Sequence, residues 1–204
     1  MIIENDSTSE QIVVYSEKSN HVSQGLMIYS IYGHGGNTGA VYNRDYVVLW
    51  NGSNSPIDLS TYTIQYAGAT GTSWGRFILS ETIPSKGFIL LKLATGTSGG
   101  VDLPSYPLSL TNASPNIAGS AGKLALMSTT NLITSGISNP IGHVTFGQYV
   151  VDFVGFGTAN AFENQVAPSL NNASIRRVKL LDTNNNFADF QQATASEGLD
   201  ILFP

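Results

Sequence analysis

The run Asp182-Thr183-Asn184-Asn185-Asn186 has the spacing with which a loop begins to gather oxygens around a hard cation, D-x-[DN]-x-[DN]. Asp189 adds one more oxygen donor nearby. Calcium takes about six to eight oxygens, and the positions that would complete such a loop are filled otherwise. Phe187 stands where the turn glycine belongs, and Ala193 where a glutamate would close the shell. Asp182, Asn184, Asn186 and Asp189 are therefore weak calcium candidates. A series of Asx turns without a cofactor is the expectation.

Other chemistry needs residues brought together from a distance. Asp45, Asp58, Asp152 and Glu163 are the acids from which a glycosidase-like carboxyl pair would have to be drawn. Separate loop and turn hydrogen bonds are the simpler expectation. Asp152 stands apart because it lies inside an apolar run, where a buried carboxylate needs a partner. Serines are plentiful, but GxSxG does not occur, and His21, His34 and His143 have no evident acid partner. None of the three has a second histidine at ligand spacing. His34 is expected to hydrogen-bond backbone within the loop 33–39, which holds four glycines in seven residues. That loop is neither GxGxxG before a helix nor GxxxxGK[ST], so it reads as a tight turn rather than a phosphate cradle. Arg176 and Arg177 with Lys179 form the one basic cluster, and neighbours in a strand point to opposite faces. An ion pair or a solvated strand end is expected there. No catalytic residue is expected, and the chain reads as a non-enzyme.

The elements that would position these residues are short and apolar. Segments 26–32, 46–50, 62–66, 76–79, 88–93, 123–127, 148–156 and 174–180 read as strands, the last as the final core strand. Gly, Pro, Ser and Asn separate them, and no long stretch carries apolar residues at helical spacing. The pattern predicts an all-β antiparallel sandwich. Its tyrosines and tryptophans are expected in the core; an exposed Trp74, beside Gly71-Thr72-Ser73, would instead suit stacking on a sugar.

Only 11% of the 204 residues are charged, against about 25% in ordinary soluble proteins. Such a surface favours close contact between molecules. The net charge of −5 argues against a duplex nucleic-acid partner, which calls for a basic face. The chain lacks cysteine, so disulfides and thiolate metal sites are excluded. No run approaches the roughly 20 apolar residues of a membrane span, so no membrane insertion is expected. Residues 1–24 show no basic region followed by an apolar core, so a cytoplasmic or spore-associated place is expected rather than a secreted one.

Six stretches in order, IYSIYGHGGNTGAVYNRDYVVLWN, DLSTYTIQYAGATGTSW, LSETIPSKGFILL, SAGKLAL, DFVGFGTANAFENQVAP and DTNNNFADF, resemble the bacterial branch of the lamin tail domain family. The resemblance covers about residues 26–192 and implies an immunoglobulin-like β-sandwich, here with an N-terminal arm (1–24), a domain (25–193) and a C-terminal tail (194–204). Val48 stands where the family commonly has a glutamate after the glycine loop, so any role of that glutamate is not carried over. Bacterial relatives are often attached to secreted nucleases or phosphatases or placed on the cell surface. The resemblance therefore implies a fold and a binding or scaffolding habit.

The expected function is that of a structural protein that self-associates into a surface layer, spore-associated coat or intracellular crystal. Its partner would be a second copy of itself, reached through Ile12, Val13, Val14 and Tyr15 by strand addition or through Ile201, Leu202 and Phe203 by insertion into an apolar groove. The alternative is an adhesion module for polysaccharide or protein, with a concave site near the loops 33–39 and 68–74.

Overall fold

The structure is a computed structural model and describes residues 25–203. Twelve strands fold in the order β1 (Leu26–Tyr32), β2 (Arg44–Asn51), β3 (Ile57–Asp58), β4 (Thr63–Gly68), β5 (Gly75–Ile78), β6 (Thr82–Ile83), β7 (Phe88–Thr95), β8 (Ser109–Thr111), β9 (Gly122–Met127), β10 (Val150–Phe156), β11 (Ser174–Arg177) and β12 (Phe190–Ala193). A single helical turn, α1 (Asn186–Asp189), precedes β12. One sheet runs β12-β11-β1-β2-β7-β8 and the other β10-β9-β4-β5, with β3 and β6 as a small separate pair. Named strands pair antiparallel except β7 with β8. The chain is an all-β sandwich.

The strand sequences explain the layering. In β2, Val47 and Leu49 face the middle core, whereas Tyr46, Val48 and Trp50 face the opposite side. The middle core joins Ile28, Ile31, Val47, Leu49 and Leu91 of the large sheet to Ile64, Phe77, Leu124, Leu126 and Phe156 of the small one. Both outer faces are also apolar. Met27, Tyr29, Tyr32, Tyr46, Val48, Trp50 and Leu90 are covered by Leu103 and by Ala195, Leu199 and Leu202 from the C-terminal segment. On the small sheet, Ala67, Ala125, Met127 and Phe153 are covered by Trp74, Ile133 and Phe146. Strands buried on both faces need no polar alternation, which is why β1 and β2 read as continuous apolar runs.

A bulge in β1 between Ile28 and Ser30 reverses its side-chain alternation. Ile28 and Ile31 therefore both face the middle core, while Ser30 reaches the C-terminal segment, its hydroxyl donating to Gly198 O at 2.7 Å.

Three expectations change. The segment 174–180 is a strand only to Arg177, and β12 follows it as the sheet edge. Residues 147–149 form a 3-10 turn before β10. Residues 194–203 are packed on the sandwich rather than set apart from it, because the outer face of β1 and β2 is too apolar to stand in water. Arm 1–24, with Ile12, Val13, Val14 and Tyr15, lies outside the described residues.

Candidate functional site

The densest grouping of ionisable side chains surrounds Arg177. The β11 strand pairs with β1 beside the bulge and ends at Arg177. Its guanidinium Nε donates to Ile28 O at 2.7 Å. Nη2 donates to Asp152 Oδ2 at 2.8 Å, and Nη1 to Asp189 Oδ2 at 2.9 Å, Leu181 O at 3.0 Å and Asp182 Oδ1 at 3.4 Å. The guanidinium also lies over the Phe190 ring, 4.6 Å from its centre. Asp152 comes from β10 of the other sheet, and its Oδ2 accepts the Ile28 N–H at 2.7 Å. One arginine and one aspartate thus serve both backbone groups of Ile28 beside the bulge and tie the two sheets together. Neither side chain is accessible to solvent.

The loop before β12 closes around the same charges. Asp189 takes Thr183 N–H at 2.8 Å and Thr183 Oγ1–H at 2.6 Å. Asp182 Oδ1 takes Asn184 N–H at 3.1 Å, and Asn184 has φ of 54°, a left-handed conformation that asparagine tolerates. The Asx-turn expectation describes this segment. Asn186 is fully buried and braces the neighbouring loop: its Oδ1 accepts from Gly155 N and Glu163 N, and its Nδ2 donates to Phe153 O and Glu163 Oε2. Gly155 must be glycine because a Cβ there would run into the carbonyl of Ala161.

Electrostatics follow from burial. Desolvation works against the Arg177 cation, but Asp152 and Asp182 outweigh it and its pKa rises. Burial, reinforced by Asp152, lifts Asp182 from 3.8 to about 6. Asp152, Glu163 and Asp182 each bring a carboxylate oxygen within 4.8 Å of the other two, close enough for one cation to touch all three. Of the sequence-derived calcium candidates, only Asp182 belongs to that trio. Asn186 and Asp189 instead hold backbone, Arg177 and Thr183.

A second buried cation lies on the far face of the small sheet. Lys123 Nζ lies within hydrogen-bonding distance of Gly71 O at 2.7 Å, Asn160 Oδ1 at 2.9 Å, Ser138 Oγ at 3.0 Å and Ser138 O at 3.1 Å. It sits 5.6 Å from the centre of the Trp74 ring. Burial lowers its pKa. Sequence reading passed over Lys123, since a lysine near a strand end looks like a solvated one.

The remaining candidates fall elsewhere. Asp45 is buried, taking Gly35 N–H at 2.9 Å and Ile117 N–H at 2.8 Å, and burial raises it from 3.8 to about 7. The glycine loop is therefore anchored to a carboxylate from the following strand, and a Cβ at Gly35 would collide with the Arg44 carbonyl. Asp58 caps a turn through Ser60 N. Of the four acids considered for a carboxyl pair, only Asp152 and Glu163 meet, and they meet in the interior. Trp74 is buried, with its indole N–H donating to Ile137 O at 2.8 Å, and so offers no stacking platform. A polar hollow of about 310 Å³, lined by Asn43, Gly96, Thr97, Ser98, Gly99 and Gly100, lies beside the glycine loop.

In the C-terminal segment, Leu202 is buried and Ile201 half-buried against the outer face of the large sheet, while the exposed Phe203 meets Tyr106 edge-on at 5.9 Å. No helix among the described residues is long and apolar enough to cross a membrane. No protein-family model and no curated protein matches the chain.

Proposed function

We propose that this chain is a non-enzymatic structural protein of lamin-tail type that self-associates by passing its C-terminal segment from one copy to the next. The observation that carries the reading is the apolar outer face of the large sheet. The rings of Tyr29, Tyr32, Tyr46 and Trp50 sit beside Met27, Val48 and Leu90, and residues 195–202 cover much of them. The cover is held by few polar links, among them Tyr46 OH to Ala195 O at 2.5 Å, Ser30 Oγ to Gly198 O at 2.7 Å and Ser174 Oγ to Thr194 O at 2.7 Å. A terminal segment that makes the same contacts on a neighbour costs little beyond its tether, which is the basis of segment exchange. Low surface charge adds little repulsion between copies.

The test is light scattering across a concentration series together with exchange between two labelled pools of the full chain. Chain shortened to residue 193 is expected to bind an apolar dye and to recover when a peptide of residues 194–204 is added. A full chain that stays monomeric at every concentration, with no exchange between pools, would sink the reading. The second reading is an adhesion module for polysaccharide or protein, favoured by the hollow beside the glycine loop. Glycan-array binding that Asn43→Ala abolishes would support it over the first.

A further inference from the structure

We propose that Asp152, Glu163 and Asp182 bind a divalent cation of calcium type beside Arg177. One oxygen from each residue lies within 4.8 Å of the other two. Calcium–oxygen contacts run at about 2.3–2.6 Å, so a single ion between them reaches all three with at most a small inward shift of the side chains. Every donor is a carboxylate oxygen, a set that selects hard cations over zinc or copper.

The independent observation is the Asp152 carboxylate itself. It is wholly buried, and its hydrogen bonds from Ile28 N and Arg177 Nη2 both fall on Oδ2. Its Oδ1 has no hydrogen-bond partner. A buried carboxylate oxygen left bare is costly, and a metal ion satisfies it where no donor does. Charge agrees with geometry. The carboxyls of Asp152, Asp182 and Asp189 gather around one guanidinium, and Glu163 lies beside Asp152 and Asp182. One guanidinium stands among these acids in an interior that solvates charge poorly, and a divalent ion adds positive charge where the carboxylate oxygens converge. The Asn186 amide holds Glu163 Oε2 at 3.2 Å and keeps that ligand in place. A cavity of about 150 Å³, lined by Leu181, Thr183, Ala188 and Asp189 among others, lies on the Asp189 side of the cluster.

The site differs from the loop that the sequence motif suggests. Both Asp189 oxygens already accept hydrogen bonds. The ion is held between β10, the loop carrying Glu163 and the loop carrying Asp182, so its removal loosens three separated segments together.

The experiment measures metal content of the purified full chain by mass spectrometry, then melting after chelation with calcium, magnesium or manganese added back. The expected result is about one calcium per chain and a melting temperature raised by roughly 5–10 °C at saturating calcium. Glu163→Gln and Asp182→Asn are each expected to fold and to lose that response. If neither variant folds, the metal content and melting of the unaltered chain decide. Chain that carries no metal and melts at one temperature whatever ion is added overturns the proposal, and the cluster then balances its charge with protons. An equal response to magnesium overturns the calcium-type assignment.

Discussion

Arg177 and Lys123 are both buried cations in one small sandwich, and their surroundings are opposite. Arg177 faces three aspartates within 3.4 Å. Lys123 faces only neutral oxygens and an indole ring. The planar guanidinium can engage several acceptors at once and keeps its charge at any working pH. The ammonium sheds a proton more readily when desolvated, and its surroundings tolerate either form. Burying a charge therefore has two solutions here, one ionic and rigid, the other dipolar and responsive to pH. Asp45 is a third case, a buried carboxyl held by two backbone N–H groups and easily protonated.

The sharpest break in this comparison is Arg177→Met. It strands the aspartates without their counter-ion and is expected to cost about 3–5 kcal/mol in urea unfolding. A loss under 1 kcal/mol would mean the acids already carry protons or another cation.

Asp45 gives the next effect through pH. Its folded pKa, about 7, lies above the ordinary 3.8, so the folded state holds a proton that the unfolded chain releases. The resulting stability is fully present below pH 3.8 and is lost as pH rises toward 7, by up to about 4 kcal/mol. Burial, and to a smaller degree the charge of Asp45, raises the pKa of Tyr32 and Tyr66, and both stay neutral in this window. Asp45→Asn should flatten the difference between unfolding curves at pH 4 and pH 7. An unchanged slope would remove Asp45 as its source.

Lys123→Met is expected to cost less, about 1–3 kcal/mol, because it leaves several acceptors short of a donor while adding apolar contact beside Trp74. A loss as large as that of Arg177→Met would show that the dipolar cage is no cheaper to break than the ionic one. The smallest effect is alkaline. The Lys123 pKa is lowered in the folded state, so the unfolded chain binds the extra proton, and stability rises with pH up to about 10.5. Buried tyrosines with raised pKa values pull the other way near pH 10 in both proteins, so the readout is the difference in melting temperature between the unaltered chain and Lys123→Met, which should move in favour of the unaltered chain from pH 8 to 10.5.

Much of the sandwich was legible because β1, β2, β7 and β9 are apolar enough to announce themselves. The edge strand β12 was not, since Gln191 and Gln192 face solvent and break the apolar pattern. Asp152 was recognisable as a buried acid in want of a partner, but nothing in local spacing linked it to Arg177, which lies 25 residues on. Glu163 and Asn186 were harder still. Their roles come from two loops that meet only when β10 and α1 pack together. The oxygen-rich run at 182–186 was visible, yet its side chains turn mostly toward backbone and Arg177. The apolar end of the C-terminal segment was legible in Ile201, Leu202 and Phe203, but so few residues do not say which face they cover. The aromatic face they cover explains their position.

That cover is made well after the face it closes. Tyr29 and Trp50 leave the ribosome long before Leu199 and Leu202. Pairing of β1 with β11 also spans most of the sequence, and contacts of such range form slowly. The aromatic face of a growing chain is thus bare until Leu199 and Leu202 follow, and neighbouring chains on one message can meet through it before either owns the residues that close it.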